Sequence, residues 1–126
     1  MPLVRISLRS GKSPQYRRAV ADSIHRSLVD AIKIPEKDRF QIITEHAPGD
    51  LIYDPSYLDI PRSDDVLLVQ ITLSTGRSVE VKKALYARMV QLLAESPGLR
   101  KEDLFVSLIE VAKENWSFGN GIAQYA

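Results

Sequence analysis

The residue best suited to chemistry stands at the front of the chain, which opens MPLVRISL with Pro2 directly before an alternating apolar run. Proline has no amide hydrogen for a sheet ladder and is tolerated at a strand's first position, which is the purely structural reading. The chemical reading depends on Met1. Once Met1 is trimmed, Pro2 becomes a secondary amine, both a base and a nucleophile. While Met1 stays attached, the same nitrogen is an amide and can be neither. Such an amine needs partners, and the candidates are Asp38, Thr75, Arg77, Trp116 and Phe118. A guanidinium can grip a carboxylate with two parallel bonds. A carboxylate and an apolar wall push an amine's proton affinity in opposite directions. Taken singly, each residue has an ordinary explanation. Asp38 can be a solvated turn residue, Arg77 an exposed loop cation, and Trp116 and Phe118 core or interface aromatics.

A repeat brings these residues together. At an offset that lays Leu3 on Leu68, LVRISLRSGKSPQYRRA (3–19) falls on LVQITLSTGRSVEVKKA (68–84) without a gap. At the same offset KDRFQIITE (37–45) falls on EDLFVSLIE (102–110). Gly11/Gly76, Ser13/Ser78 and Asp38/Asp103 stay in register along with the apolar positions, which marks a duplication rather than two similar amphipathic halves. Each half reads β-α-β. Residues 3–8 and 66–73 are strands, and Phe40 to Thr44 and Leu104 to Val111 close the two units. Ser13-Pro14 and Ser78 start the helices. Val20, Ile24, Leu28, Ala31 and Ile32 form one helical stripe; Val81, Leu85, Met89, Leu92 and Leu93 form the other. Ile34-Pro35 and Ser96-Pro97-Gly98 end them.

The expectation is an α+β fold: duplicated β-α-β units in a four-stranded mixed sheet, with two helices on one face. The chain reads as a single domain, 1–126, of two pseudo-repeats (1–46 and 66–111). Linker 47–65 joins them, and a tail, 112–126, follows as a turn or short hairpin against a neighbour. Val4, Ile6 and Leu8 are not expected all to face the helices together with the apolar residues of 66–73. The second sheet face should therefore need covering, which suggests oligomerisation. In this topology Pro2, Asp38, the exit of the third strand at 74–77 and the segment 115–119 all reach one rim. The pseudo-equivalent rim has Lys12 and Asp103 but Leu67 in place of Pro2, so one rim per protomer is the candidate site.

Composition excludes several other classes. A formal charge of +1 gives no field to draw nucleic acid or an anionic membrane, and no aromatic cluster of the RNA-binding kind is present. With no cysteine there is no disulfide or thiolate chemistry, and two histidines without cysteine argue against structural zinc. His25, beside the first helical stripe, reads as a satisfied structural side chain, and His46 matches no catalytic role. No apolar run reaches a membrane span and no leader pattern opens the chain, so the cytoplasm is expected.

Pro2 after Met1, the GKS and GRS helix starts, IITE (42–45) and ENWSFGNG (114–121) resemble the tautomerase superfamily, whose members carry an amino-terminal proline. DRFQIITEHAPGD (38–50) with WSFG (116–119) is most similar to the double-length branch that includes malonate semialdehyde decarboxylase. The resemblance implies the tautomerase/MIF-like fold, a homotrimer, cofactor-free chemistry and a small carboxylate substrate. It implies Pro2 as acid or base, Arg77 as carboxylate anchor, Asp38 as polar partner, and Trp116 and Phe118 as apolar wall. Two positions depart. The decarboxylase branch has a second arginine where Thr75 stands, and the short tautomerases have an arginine where Phe40 stands. The expected activity is therefore tautomerisation of a small enol or unsaturated acid. The alternatives are decarboxylase-like or hydratase chemistry, or a non-enzymatic module that binds a small acid or a protein.

Overall fold

The computed structural model describes all of residues 1–126. The chain order is β1 (Leu3–Arg9), α1 (Pro14–Ile32), β2 (Gln41–His46), β3 (Leu67–Ser74), α2 (Val79–Glu95) and β4 (Leu104–Val111). The four strands make one sheet in the order β2-β1-β3-β4. β1 runs parallel to β2, β3 parallel to β4, and β1 antiparallel to β3, so the expected mixed sheet is formed.

Local chemistry sets the helix boundaries. The Ser13 hydroxyl accepts from the Tyr16 amide at 3.0 Å with Pro14 in the first turn, and the Ser78 hydroxyl accepts from the Val81 amide at 3.2 Å. Each cap satisfies an amide that the helix itself leaves unpaired. α1 ends at Lys33, which takes the left-handed conformation (φ 61°, ψ 35°) just before Ile34-Pro35. His25 is buried, and its Nε2 lies 2.7 Å from the Glu36 carbonyl oxygen, a structural role.

The core lies between the sheet and the two helices. Val20, Ile24, Leu28 and Ile32 of α1 and Leu85, Met89 and Leu93 of α2 pack onto the sheet. One expectation is overturned here. Val4, Ile6 and Leu8 all face the helices together with Leu67, Val69, Ile71 and Leu73. The antiparallel register puts Val4 opposite Ile71 and Ile6 opposite Val69, so the period-two patterns of both strands fall on the same face. The other face is mixed. Arg5, Ile42, Gln70 and Ser107 form one row, and Ser7, Thr44, Leu68 and Phe105 the next.

Candidate active site

The rim where β1 begins gathers residues from four parts of the chain. Pro2 is buried at the head of a central strand. The Val4 amide donates to the Phe40 carbonyl at 3.0 Å, tying the segment before β2 to that head. Asp38 sits in the preceding turn, where its own amide donates to the Pro35 carbonyl at 3.0 Å. Its side chain is only 8% exposed, and Oδ2 lies 3.4 Å from the Met1 ammonium. No well-aligned hydrogen bond reaches that buried oxygen, so the pairing is electrostatic.

Beyond the end of β3 the chain turns through Thr75 and Gly76. Gly76 has φ +122°, a region that disfavours any side chain. The turn presents Arg77, half-buried, whose Nη1 donates to the Ser74 carbonyl at 2.9 Å. The Thr75 amide donates to the Val111 carbonyl at 3.0 Å, which fixes the same turn to the end of β4. Ser74 is buried, and its hydroxyl accepts from the Trp116 indole N–H at 3.1 Å. Trp116 and Phe118 stack with centroids 5.4 Å apart and planes 11° from parallel. Phe40 lies 6.3 Å from Phe118 on another side.

These elements border a cavity of about 440 Å³. Met1, Thr75 and Arg77 line it. Pro2 and Asp38 do not line it themselves: Pro2 follows Met1 in the chain, Asp38 faces the Met1 ammonium, and Trp116 is joined to the cavity wall through Ser74. Three lining residues escaped the sequence reading: Lys33, Lys113 and Tyr125. The tail that was expected to turn against a neighbour folds back on its own rim. The Phe118 amide donates to Gln124 Oε1 at 3.0 Å, and Tyr125 meets Phe118 edge-on at 5.4 Å. The Tyr125 hydroxyl lies 3.6 Å from the Met1 sulfur. The glycines Gly119 and Gly121, both at positive φ here, were the sequence's hint of this return.

The pseudo-equivalent rim is electrostatically closed. Lys12, the counterpart of Arg77, is paired with Asp65, and that hydrogen bond holds its ammonium pKa above the usual lysine value against the opposing effect of burial. Asp103, the counterpart of Asp38, is fully buried. It accepts from the Ser63 amide at 2.7 Å and the Ser63 hydroxyl at 2.6 Å. Leu67 fills the place of Pro2 in the core. Burial also raises the Tyr16 phenol pKa beside this rim. Charge is spent internally here, whereas Arg77 has no carboxylate within 4.0 Å. No group of three or more His, Cys, Asp or Glu side chains is placed to hold a metal ion. No helix is long and apolar enough to cross a membrane.

The chain is similar to known proteins over most of its length. A family described as "Tautomerase enzyme" matches residues 38–119, and a second family of the same description matches residues 2–59. A probable tautomerase, YusQ of Bacillus subtilis (strain 168), is 41% identical over 124 residues, covering 98% of each chain. The solved structure of FG41 malonate semialdehyde decarboxylase inhibited by 3-bromopropiolate is also 41% identical, with TM-score 0.92 over 98% of this chain and 93% of that one. A fused 4-OT solved as a symmetric trimer is 26% identical, with TM-score 0.80 over 98% and 97% of the two chains. With matched residues spanning most of its length, the chain belongs to the tautomerase family of enzymes.

Proposed function

We propose that the protein is a cofactor-independent tautomerase of a small enol or unsaturated carboxylic acid, with the Pro2 amine as its acid and base. One observation carries the reading: an unpaired guanidinium, Arg77, and a buried carboxylate, Asp38, flank the single point where the chain's amino terminus enters the sheet. Removal of Met1 frees the Pro2 nitrogen and the space that Met1 takes along the cavity wall. Burial near Trp116 and Phe118 and the positive charge of Arg77 both disfavour the ammonium form, while Asp38 favours it. The mechanism requires an amine that can both take up and release a proton.

Arg77 grips the substrate carboxylate and sets the enol against Pro2. The amine takes the enol O–H proton, leaving a dienolate whose charge the guanidinium stabilises. The resulting prolinium returns a proton to carbon, which completes the keto product and restores the amine. A second reading rests on the 41% identity to a malonate semialdehyde decarboxylase. A Pro2 amine that stays protonated polarises a carbonyl, which suits loss of carbon dioxide from a β-keto acid or hydration of an unsaturated one. The assembly fits a homotrimer: the sheet face away from the helices exposes Ile42, Phe105 and Ile109, and the fused 4-OT relative is a trimer.

The test begins with intact mass, to establish that the protein starts at Pro2. Absorbance assays on 2-hydroxydienoates and phenylenolpyruvate then follow tautomerisation, with malonate semialdehyde and carbon dioxide release read in parallel. Pro2→Ala, likewise freed of methionine, is expected to lose at least a hundredfold in kcat/KM. Full turnover in that variant rules out the proline mechanism, and a retained Met1 with no turnover of any enol acid leaves a binding module instead.

A further inference from the structure

Arg77 is not the only free cation at the cavity. Lys33 and Lys113 line the same space, and no Asp or Glu does. Neither lysine has a carboxylate within 4.0 Å. This stands out in a chain of near-neutral net charge whose other rim pairs its lysine. Glu36, three residues beyond Lys33, is engaged with Arg26 at 2.6 Å. Glu114, next to Lys113, is exposed and does not line the cavity.

The backbone at Lys33 gives a second, independent observation. It holds φ 61°, at the end of α1, where glycine or asparagine is the ordinary choice. A lysine occupies that position despite the conformational cost, and it lines the cavity. Lys113 comes from a different part of the chain, the short 3-10 turn Lys113–Asn115 that follows β4. The two cations thus approach one opening from α1 and from the end of β4, while Arg77 enters from β3.

We propose that Lys33 and Lys113 form a second anion subsite at this cavity, so that the preferred ligand is a compact dianion. One carboxylate meets Arg77 beside Pro2, and a distal anionic group meets the two lysines. The inference deepens the tautomerase reading by assigning the far end of the substrate, and it needs only that the cavity bind small acids. Two ammonium groups act as point charges and do not demand the planar fork that suits arginine. They therefore accept a terminal carboxylate or a phosphate alike.

Binding without turnover tests the subsite apart from the chemistry. Trp116, the only tryptophan, hydrogen-bonds Ser74 in the cavity wall and serves as the fluorescent reporter. Fumarate and crotonate share a skeleton and differ by one carboxylate. A phosphonate-terminated crotonate analogue distinguishes a carboxylate preference from a phosphate preference. Wild-type protein of verified Pro2 terminus is expected to bind the dianions at least tenfold more tightly than crotonate at low salt. Lys33→Asn, which suits the left-handed backbone, combined with Lys113→Gln should collapse that ratio below threefold. Lys113→Glu should invert it. Circular dichroism of the variants verifies that they are folded. Equal Kd for fumarate and crotonate in the wild type, or an unchanged ratio in the double variant, overturns the subsite. Loss of Pro2-dependent turnover with the dianion preference intact would sink the enzyme reading alone.

Discussion

Replacing Arg77 by glutamine separates the charge of the anchor from its shape. A guanidinium carries five N–H donors. One, on Nη1, is donated to the Ser74 carbonyl at 2.9 Å, and that bond holds the fork in place. Four remain, enough for a two-pronged grip on a carboxylate. Each hydrogen bond to a charged group contributes about 1.5–3 kcal/mol, so the grip contributes about 3–6 kcal/mol. Arg77 is half-buried and open to solvent, which favours the lower end. Glutamine retains a neutral donor, which recovers about 1 kcal/mol. The net loss is about 2 kcal/mol, or roughly thirtyfold in kcat/KM. Arg77→Lys keeps the charge without the fork and should lose about tenfold. The assay compares a 2-hydroxydienoate with its methyl ester, both followed by absorbance. The acid should suffer the roughly thirtyfold loss and the ester should change less than threefold. Equal losses on acid and ester would mean that Arg77 supports the fold of the rim and does not anchor a carboxylate.

Two further perturbations probe the frame around that anchor. Ser74→Ala removes the acceptor of the Trp116 indole N–H while leaving the backbone carbonyl that holds Arg77. It should lower the unfolding free energy by about 1 kcal/mol and shift Trp116 fluorescence to the red; an unshifted spectrum would mean that stacking on Phe118 alone fixes the ring. Met89→Ala opens a void under α2 at a fully buried position. It should cost about 3 kcal/mol in urea unfolding, and a loss below 1 kcal/mol would contradict the packing of this core.

The strands and the helix starts were legible because they rest on local signals. Ser13-Pro14 and Ser78 announce the caps, and the alternation of 3–8 announces a strand. The repeat supplied the one long-range fact, and with it the convergence of Pro2, Asp38, Arg77 and Trp116 on a single rim. Register was not legible. Whether Val4 and Val69 share a face depends on which residues pair across β1 and β3, and the misjudged second face followed from that. Lys33, Lys113 and Tyr125 were missed for a related reason. Exposed lysines carry no periodicity, and the return of the tail depends on contacts among Phe118, Gln124 and Tyr125 that link residues without a regular spacing. Asp103 and Lys12 show the converse. Their types match the candidate site, and only the structure reveals that Ser63 already hydrogen-bonds the one and Asp65 already pairs with the other.

The head of β1 is paired on both sides, to β2 through Val4–Gln41 and to β3 through Leu3–Thr72. The separation between Pro2 and the turn that bears Arg77 is thereby a property of strand alignment and not of any loop. A slip of one residue would carry the ring nitrogen about 3.3 Å along the strand and rotate its neighbours to the opposite side. Damage that loosens the β1–β3 ladder should therefore silence the protein while its helices still give a native far-ultraviolet spectrum, so that loss of competence precedes loss of shape.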